Sequence, residues 1–292
     1  MAELDAIKLM KTGLGAAALA ALMLASSAAV AAGTLDRIRD RHAVVFAYRD
    51  GAAPFSFKDR DGHVRGYSAE LCAGIAKALQ RQLGLPDLKV EWIPVDADAR
   101  IDAIASGRAD AECGTTTITL SRMERVDFSV PIFVDGGTLA VKPQSAVRRV
   151  ADLAGKRVAV IRGTTTERGL VSALKLHDAA ATLVYVTRPE DGAAALHEGR
   201  VDAFAGDRLV LTRLALGAGD GALAVLPDDF SFEPYGIVVR RNDDDFRLAV
   251  NRALVGIYKR GEIDAIFQHW LAPIGKPSAL VNAMFYLNAL PE

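Results

Sequence analysis

Three short segments carry residues able to hold a small charged molecule. After Gly114, the run Thr115-Thr116-Thr117 offers hydroxyls and backbone N–H groups, and Arg122 lies shortly beyond it. An arginine so placed can grip a carboxylate through two parallel hydrogen bonds. Taken alone, Ser121-Arg122-Met123-Glu124-Arg125 reads equally well as a solvated helical turn. In Gly163-Thr164-Thr165-Thr166-Glu167, Thr164 and Glu167 have the spacing of a capping box, and the N–H groups of such a helix start attract an anion. Capping and anion binding are compatible, because different threonines can serve each. Asp207 follows Gly206 as Thr115 follows Gly114, which makes it an acceptor for an ammonium or a plain helix N-cap. Arg49 follows one apolar run and Arg100 sits early in a helix after another, at strand carboxyl ends where open α/β sheets bind ligands; the alternative is ordinary surface charge. Donors for carboxylates plus a carboxylate for an ammonium are what replace water around an amino acid.

These residues need a frame, and the hydrophobic pattern supplies one. Strands are expected at Val44–Tyr48, Lys89–Ile93 and Ala109–Glu112, alternating with helices at Ser68–Leu83 and Ala97–Ser106. A second series has strands at Arg157–Ile161, Thr182–Val186 and Ala203–Ala205, with helices at Thr165–Leu176, Pro189–Glu198 and from Asp207 onward. Such alternation indicates α/β units on largely parallel sheets. Gly107-Arg108-Ala109-Asp110-Ala111-Glu112-Cys113-Gly114 recurs as Gly199-Arg200-Val201-Asp202-Ala203-Phe204-Ala205-Gly206. In each copy the first glycine suits a left-handed helix stop and the last permits a close approach. Gly-Arg-x-Asp is also a common turn, but two copies in the same local order point to two similar lobes. Apolar runs at Thr138–Lys142 and Tyr235–Arg240 read as paired crossover strands. On that reading residues 33–140 begin lobe 1, residues 141–236 form an inserted lobe 2, and residues 237–292 complete lobe 1 with helices at Phe246–Lys259 and Glu262–Trp270 and a surface-packed tail.

Lys8 and Lys11, the apolar stretch Leu14–Ala25 and the small residues that follow read as a cleavable export signal over residues 1–32; an uncleaved membrane anchor is the alternative. No cysteine precedes Cys72, which argues against a lipid anchor on a processed N-terminal cysteine. The chain carries 35 Lys+Arg and 36 Asp+Glu, a formal net charge of -1, so nothing draws it toward nucleic acid. Export permits oxidation, and Cys72 and Cys113 are candidates for a disulfide or else two buried thiols. The histidines lack close paired spacing and two cysteines do not make a zinc set. No P-loop or dinucleotide glycine fingerprint is present, so no cofactor or metal is expected.

The chain resembles the periplasmic amino-acid-binding proteins of ABC importers, family 3, and most nearly their glutamate/aspartate-binding branch. The segments that carry the resemblance are Pro54-Phe55-Ser56-Phe57, Gly66-Tyr67-Ser68, Pro86-Asp87-Leu88-Lys89-Val90, Glu112-Cys113-Gly114-Thr115-Thr116-Thr117, Arg122 with Phe128-Ser129, Gly163-Thr164-Thr165 and Glu233-Pro234-Tyr235-Gly236. The resemblance implies the two-lobed α/β periplasmic-binding-protein fold (type II) with two hinge strands, and a monomer that presents an amino acid to a membrane permease. It assigns Arg122 to the ligand α-carboxylate and Asp207 to the α-ammonium, with Thr115, Thr117 and Thr165 adding hydrogen bonds and Arg49 and Arg100 holding a side-chain carboxylate. The sequence departs where that branch has a serine and a histidine, with Ala97 and Pro189 instead. Three arginines and one aspartate leave a net +2 at the site, which favours an acidic ligand because an unpartnered buried arginine is costly. The competing expectation is an exported dehydratase of the same fold acting on a prephenate- or arogenate-like acid, for which no histidine stands in a recognisable catalytic spacing.

Overall fold

The computed structural model describes residues 33–219 and 222–291; the export signal expected over residues 1–32 lies outside the described residues. Helix α1 (Thr34–Arg41) leads into β1 (Ala43–Tyr48), whose β-branched and aromatic residues favour extended backbone and which is buried along its whole length. Its alternate side chains divide between two cores. Val44 and Phe46 pack with Leu71, Ile75 and Phe246, while Val45 and Ala47 pack with Ile101, Ile104 and Val238. Cover on both faces is the usual condition for parallel pairing. Accordingly β1 runs parallel to both β4 (Lys89–Pro94) and β5 (Ala111–Glu112), while β2 (Phe57–Lys58) and β3 (Val64–Arg65) form a small separate hairpin. The covering helices on this side are α2 (Tyr67–Leu83) and α3 (Arg100–Ala105).

The second series repeats the arrangement. After the short helix α4 (Leu120–Met123) and the long strand β6 (Val126–Val141), β7 (Arg157–Ile161) lies parallel to β8 (Thr182–Val186) and β9 (Ala203–Asp207). Val158 and Val160 join Leu170 and Leu174 on one face, and Ala159 joins Leu196 and Phe204 on the other. Helices α5 (Thr165–Leu176), α6 (Pro189–His197) and α7 (Arg208–Gly217) supply those covers. Each fully buried Leu or Phe side chain contributes about 1.5–3 kcal/mol, so each lobe has a core of its own.

Strands β10 (Ala224–Val225) and β11 (Ser231–Arg240) complete a sheet ordered β4-β1-β5-β11-β6-β9-β7-β8, with β10 on β6. Antiparallel β6 and β11 join the two halves: Val238 and Val239 pair with β5, whereas Gly137–Ala140 pair with β9. The runs expected as paired crossover strands at Thr138–Lys142 and Tyr235–Arg240 are the apolar ends of these longer strands, but they do not pair with each other: residues 138–140 pair with β9, and Tyr235–Arg240 pair with residues 126–133 of β6. Pro131 and Asp135-Gly136-Gly137 hide the rest of β6, since proline and glycine weaken a strand signal that tertiary pairing then overrides. Helix α3 starts at Arg100 rather than Ala97, because the Asp96 carbonyl accepts the Ala99 N–H in a preceding turn. Helices α8 (Asp244–Lys259), α9 (Glu262–Trp270) and α10 (Ala279–Asn288) return to the first half, and α10 docks Phe285 onto Tyr258.

The recurring Gly-Arg-x-Asp segment has a physical reason. Gly107 and Gly199 both stop a helix in the left-handed region, at φ 75° and 74°. Asp110 and Asp202 then each accept a backbone N–H from the first half of the neighbouring strand, from Val45 and Arg157, both at 2.8 Å. The same carboxylate fastens the same strand in each lobe.

Cys72 on α2 and Cys113 beyond β5 form a disulfide. Together with the hydrogen bond from Ser68 Oγ to the Gly114 carbonyl, at 2.9 Å, it moors the threonine run to α2. The bridge spans 41 residues, and loop-closure entropy for that length corresponds to about 4 kcal/mol. Replacing both cysteines by alanine is expected to lower the unfolding free energy by about that amount in urea titration; an unchanged midpoint would show that the bridge adds nothing to stability.

Candidate functional site

Five of the residues singled out in the sequence converge at the carboxyl ends of β1 and β5. Arg49, Arg100 and Arg122 are 5%, 1% and 7% exposed, and Thr115 and Thr117 are equally buried. Arg49 reaches Thr115 Oγ1 and Arg100 reaches the Thr115 carbonyl, each at 3.4 Å, while Arg122 donates to the Thr117 carbonyl at 2.7 Å. Among the described residues none of the three arginines forms an ion pair, and Arg100 Nε has no hydrogen-bond partner. Burial and mutual repulsion push Arg49 down and bring Arg122 to about 9. Arginines are almost never this buried without an anion to offset them.

The facing surface comes from the second lobe. Thr164 caps α5 through the Glu167 N–H at 3.0 Å, and Glu167 reaches back to the Gly163 N–H at 2.7 Å. The expected capping box therefore forms one residue out of step, and it takes two of the N–H groups available for an anion. Thr165 Oγ1 stands 2.8 Å from Thr117 Oγ1, so the lobes touch. Asp207 occupies the N-cap position of α7 without capping it; that task falls to Asp135, which accepts the Leu209 N–H at 3.2 Å. The Asp207 carboxylate is left to take a hydroxyl from Thr166 at 2.9 Å and to line the cleft opposite Arg49. Pro189 lines that same cavity, and Ala97 lines an adjoining one that also includes Arg49. Arg100, Arg122, Thr117 and Thr165 stand outside the cavity lined by Arg49 and Asp207.

Three buried carboxyl groups escaped the sequence reading. Glu112, taken there as an ordinary strand residue, is fully buried, accepts from Thr116 Oγ1 at 2.7 Å, and has its pKa raised by burial. It crosses so close to Gly114 that a Cβ there would lie 2.2 Å from Glu112 Oε1. Its sequence signal is a carboxylate inside an otherwise apolar strand. Glu233 and Asp135, register partners on β11 and β6, are the other two. Three arginines against Asp207, Glu112 and Glu233 cancel in formal charge, which corrects the count of +2. Burial raises both glutamates toward their neutral forms, and that restores part of the positive excess.

Burial, followed by repulsion from Asp207, raises Asp135 to about 8. A carboxyl whose folded pKa exceeds its unfolded value contributes stability that is complete below the unfolded value and is lost as pH rises toward the folded one. Between pH 5 and 8 the parent protein is expected to lose about 3–4 kcal/mol relative to Asp135→Asn in urea unfolding. A constant difference would show Asp135 ionised throughout.

Elsewhere, the turn between β2 and β3 brings ligand atoms of Asp59, Asp61 and His63 within 4.8 Å of one another, a grouping not anticipated from histidine spacing. Asp59 spends its oxygens there on the Asp61 and His63 N–H groups and on Arg65.

Two α/β halves joined by two antiparallel strands, with buried arginines and an aspartate gathered between them, define the two-lobed solute-receptor fold. Residues 44–273 match the bacterial extracellular solute-binding proteins, family 3, and the chain belongs to that family. It is a solute-binding protein of amino-acid ABC transport. It is 33% identical to the L-glutamate/L-aspartate-binding protein of Pseudomonas aeruginosa, over 93% of this chain and 90% of that one. Among solved structures it is similar to an ancestral arginine-binding protein bound to arginine, with a TM-score of 0.72, 32% identity and coverage of 79% of this chain and 99% of that one. It is also similar to an ancestral amino acid-binding protein that is a precursor of cyclohexadienyl dehydratase, with a TM-score of 0.71, 31% identity and coverage of 81% and 99%. Among the described residues no helix is long and apolar enough to cross a membrane.

Proposed function

We propose that this protein is a periplasmic, non-enzymatic receptor that closes its lobes on an acidic amino acid, glutamate or aspartate, and delivers it to a membrane permease. The observation that carries this reading is the trio of buried arginines without a carboxylate partner, of which Arg49 faces Asp207 across the cleft. Arg122 holds the α-carboxylate, Asp207 the α-ammonium, and Arg49 and Arg100 the side-chain carboxylate; Thr115, Thr117 and Thr165 complete the hydrogen bonds. An anion relieves the repulsion that depresses Arg49 and Arg122, so binding energy comes from ending an unfavourable arrangement as well as from new contacts. Ligand contacts drawn from both lobes favour the closed population.

Residues 1–32 act in this reading as the export signal, residues 33–140 and 237–292 as lobe 1, and residues 141–236 as lobe 2. The glutamate/aspartate-binding relative supports the acidic assignment, whereas Ala97 and Pro189 leave the side-chain end less polar and place its selectivity on Arg49 and Arg100. Calorimetry with L-glutamate, L-aspartate, L-glutamine, L-arginine and L-cystine tests it, and tighter binding of a neutral or basic amino acid would overturn it. The ancestral dehydratase precursor and the buried carboxyls Glu112 and Glu233, whose pKa values burial raises, give a second reading, an acid-assisted dehydratase. Release of an aromatic product from prephenate or arogenate would establish that reading.

A further inference from the structure

Glu233 gathers hydroxyls from both lobes onto one strand of the hinge. Thr117 of the first lobe and Thr165 of the second reach its Oε2 at 2.9 and 2.6 Å. Thr166 and Ser231 reach its Oε1 at 3.1 and 2.8 Å. The residue is 1% exposed, so water does not compete for these lone pairs, and hydrogen bonds in such surroundings are stronger than at the surface. Thr117 follows β5 whereas Thr165 opens α5, and their oxygens can share one carboxylate oxygen only when the two lobes are together.

We propose that Glu233 is a closure latch, a positioning residue that fastens the lobes by drawing Thr117 and Thr165 onto a single carboxylate oxygen; its role in ligand retention rests on the receptor reading above. The number of protons in the cluster shows what tightens the latch. Four hydroxyls, those of Thr117, Thr165, Thr166 and Ser231, share six oxygen–oxygen contacts: four to Glu233, one between Thr117 and Thr165, and one from Thr166 to Asp207. With both carboxylates ionised, two of these contacts fall between acceptors. An ammonium that donates to Asp207 frees the Thr166 hydroxyl to donate to Glu233, so an amino-acid ligand strengthens one of the four contacts of the latch. The charged and titratable groups facing Glu233 are Asp207 from β9, Asp135 from β6, Tyr235 from β11 and Arg122 from α4, and Arg49 is the protein's own cation on the Asp207 side.

Glu233→Gln keeps the shape but removes the charge, and because hydrogen bonds to a carboxylate are roughly twice as strong as those to a neutral group, this loss at four hydroxyl contacts outweighs the protons that the amide adds. Spin labels on Arg60→Cys and Leu176→Cys, exposed positions in the two lobes, report the interlobe distance, the native cysteines being bonded to each other. The variant is expected to shift the distribution toward longer distances, with or without L-glutamate. It is also expected to release L-glutamate about tenfold faster with association changed by less than about twofold, since interface changes act mainly on dissociation. Thr117→Val should reproduce both effects, and combining it with Glu233→Gln should add little, because the two residues act as one unit. Coincident distance distributions and equal dissociation rates in both variants would overturn the latch. A shifted distribution in a protein that does not bind L-glutamate would keep the latch and remove the acidic-ligand assignment.

Discussion

Arg122→Ala is expected to weaken L-glutamate binding by at least about a hundredfold in calorimetry, since truncating one partner of a buried charge pair costs about 2–5 kcal/mol. The fold should survive. Arg122 holds its proton reluctantly, down at about 9, because of burial and the nearby Arg100 and Arg168. Removing it deletes a charge that the folded protein tolerates poorly. Against this stands one lost hydrogen bond to the Thr117 carbonyl, worth about 1 kcal/mol net. Thermal unfolding should therefore move little while binding collapses, and near-normal affinity in the variant would defeat the carboxylate assignment.

The second large effect is one of selectivity. Arg49→Gln combined with Arg100→Gln is expected to cost L-glutamate about a thousandfold, from two charge-assisted contacts at about 1.5–3 kcal/mol each, while L-glutamine loses less than about tenfold. Burial and the neighbouring Arg100 lower the Arg49 pKa, and both arginines contact Thr115, so the double variant will not equal the sum of the singles. Loss by an equal factor for both amino acids would sever the acidic preference from these residues. Formal charge alone no longer decides the matter once Glu112 and Glu233 are placed beside the arginines, so this comparison carries more weight than the charge count.

The elements with regular periodicity were legible in advance. Helix α9 lies at Glu262–Trp270 as expected, the paired glycine stops fall where the repeat put them, and the disulfide joins the only two cysteines. The long part of β6 was not legible, because Pro131 and the Asp135-Gly136-Gly137 run break the alternation, and only pairing with β11 and β9 makes them a strand. At the candidate site, Arg49 and Arg100 were marked by their positions after strands, and Arg122 and the threonines by the runs that follow Gly114 and Gly163. Glu233 was visible only as part of a short motif. Its importance comes from hydroxyls distant in sequence that the fold collects around it, and no local spacing encodes such a gathering. Asp207 was recognised as either an ammonium acceptor or a cap, and the cap belongs instead to Asp135, a residue in another strand whose part no local spacing announces.

The crossover strands have a mechanical consequence. The lobes are joined by a paired ribbon that runs deep into both halves of the sheet, with register shifts around Tyr235, Gly236 and Val238, and such bulges concentrate twist. A Cβ on Gly236 would lie 3.0 Å from Ile118, so the turning point is also sterically tight. Opening then resembles winding a torsion spring more than swinging a gate. The spring's resting angle and stiffness are properties of the ribbon, which makes residues that never touch the ligand able to set how long it stays.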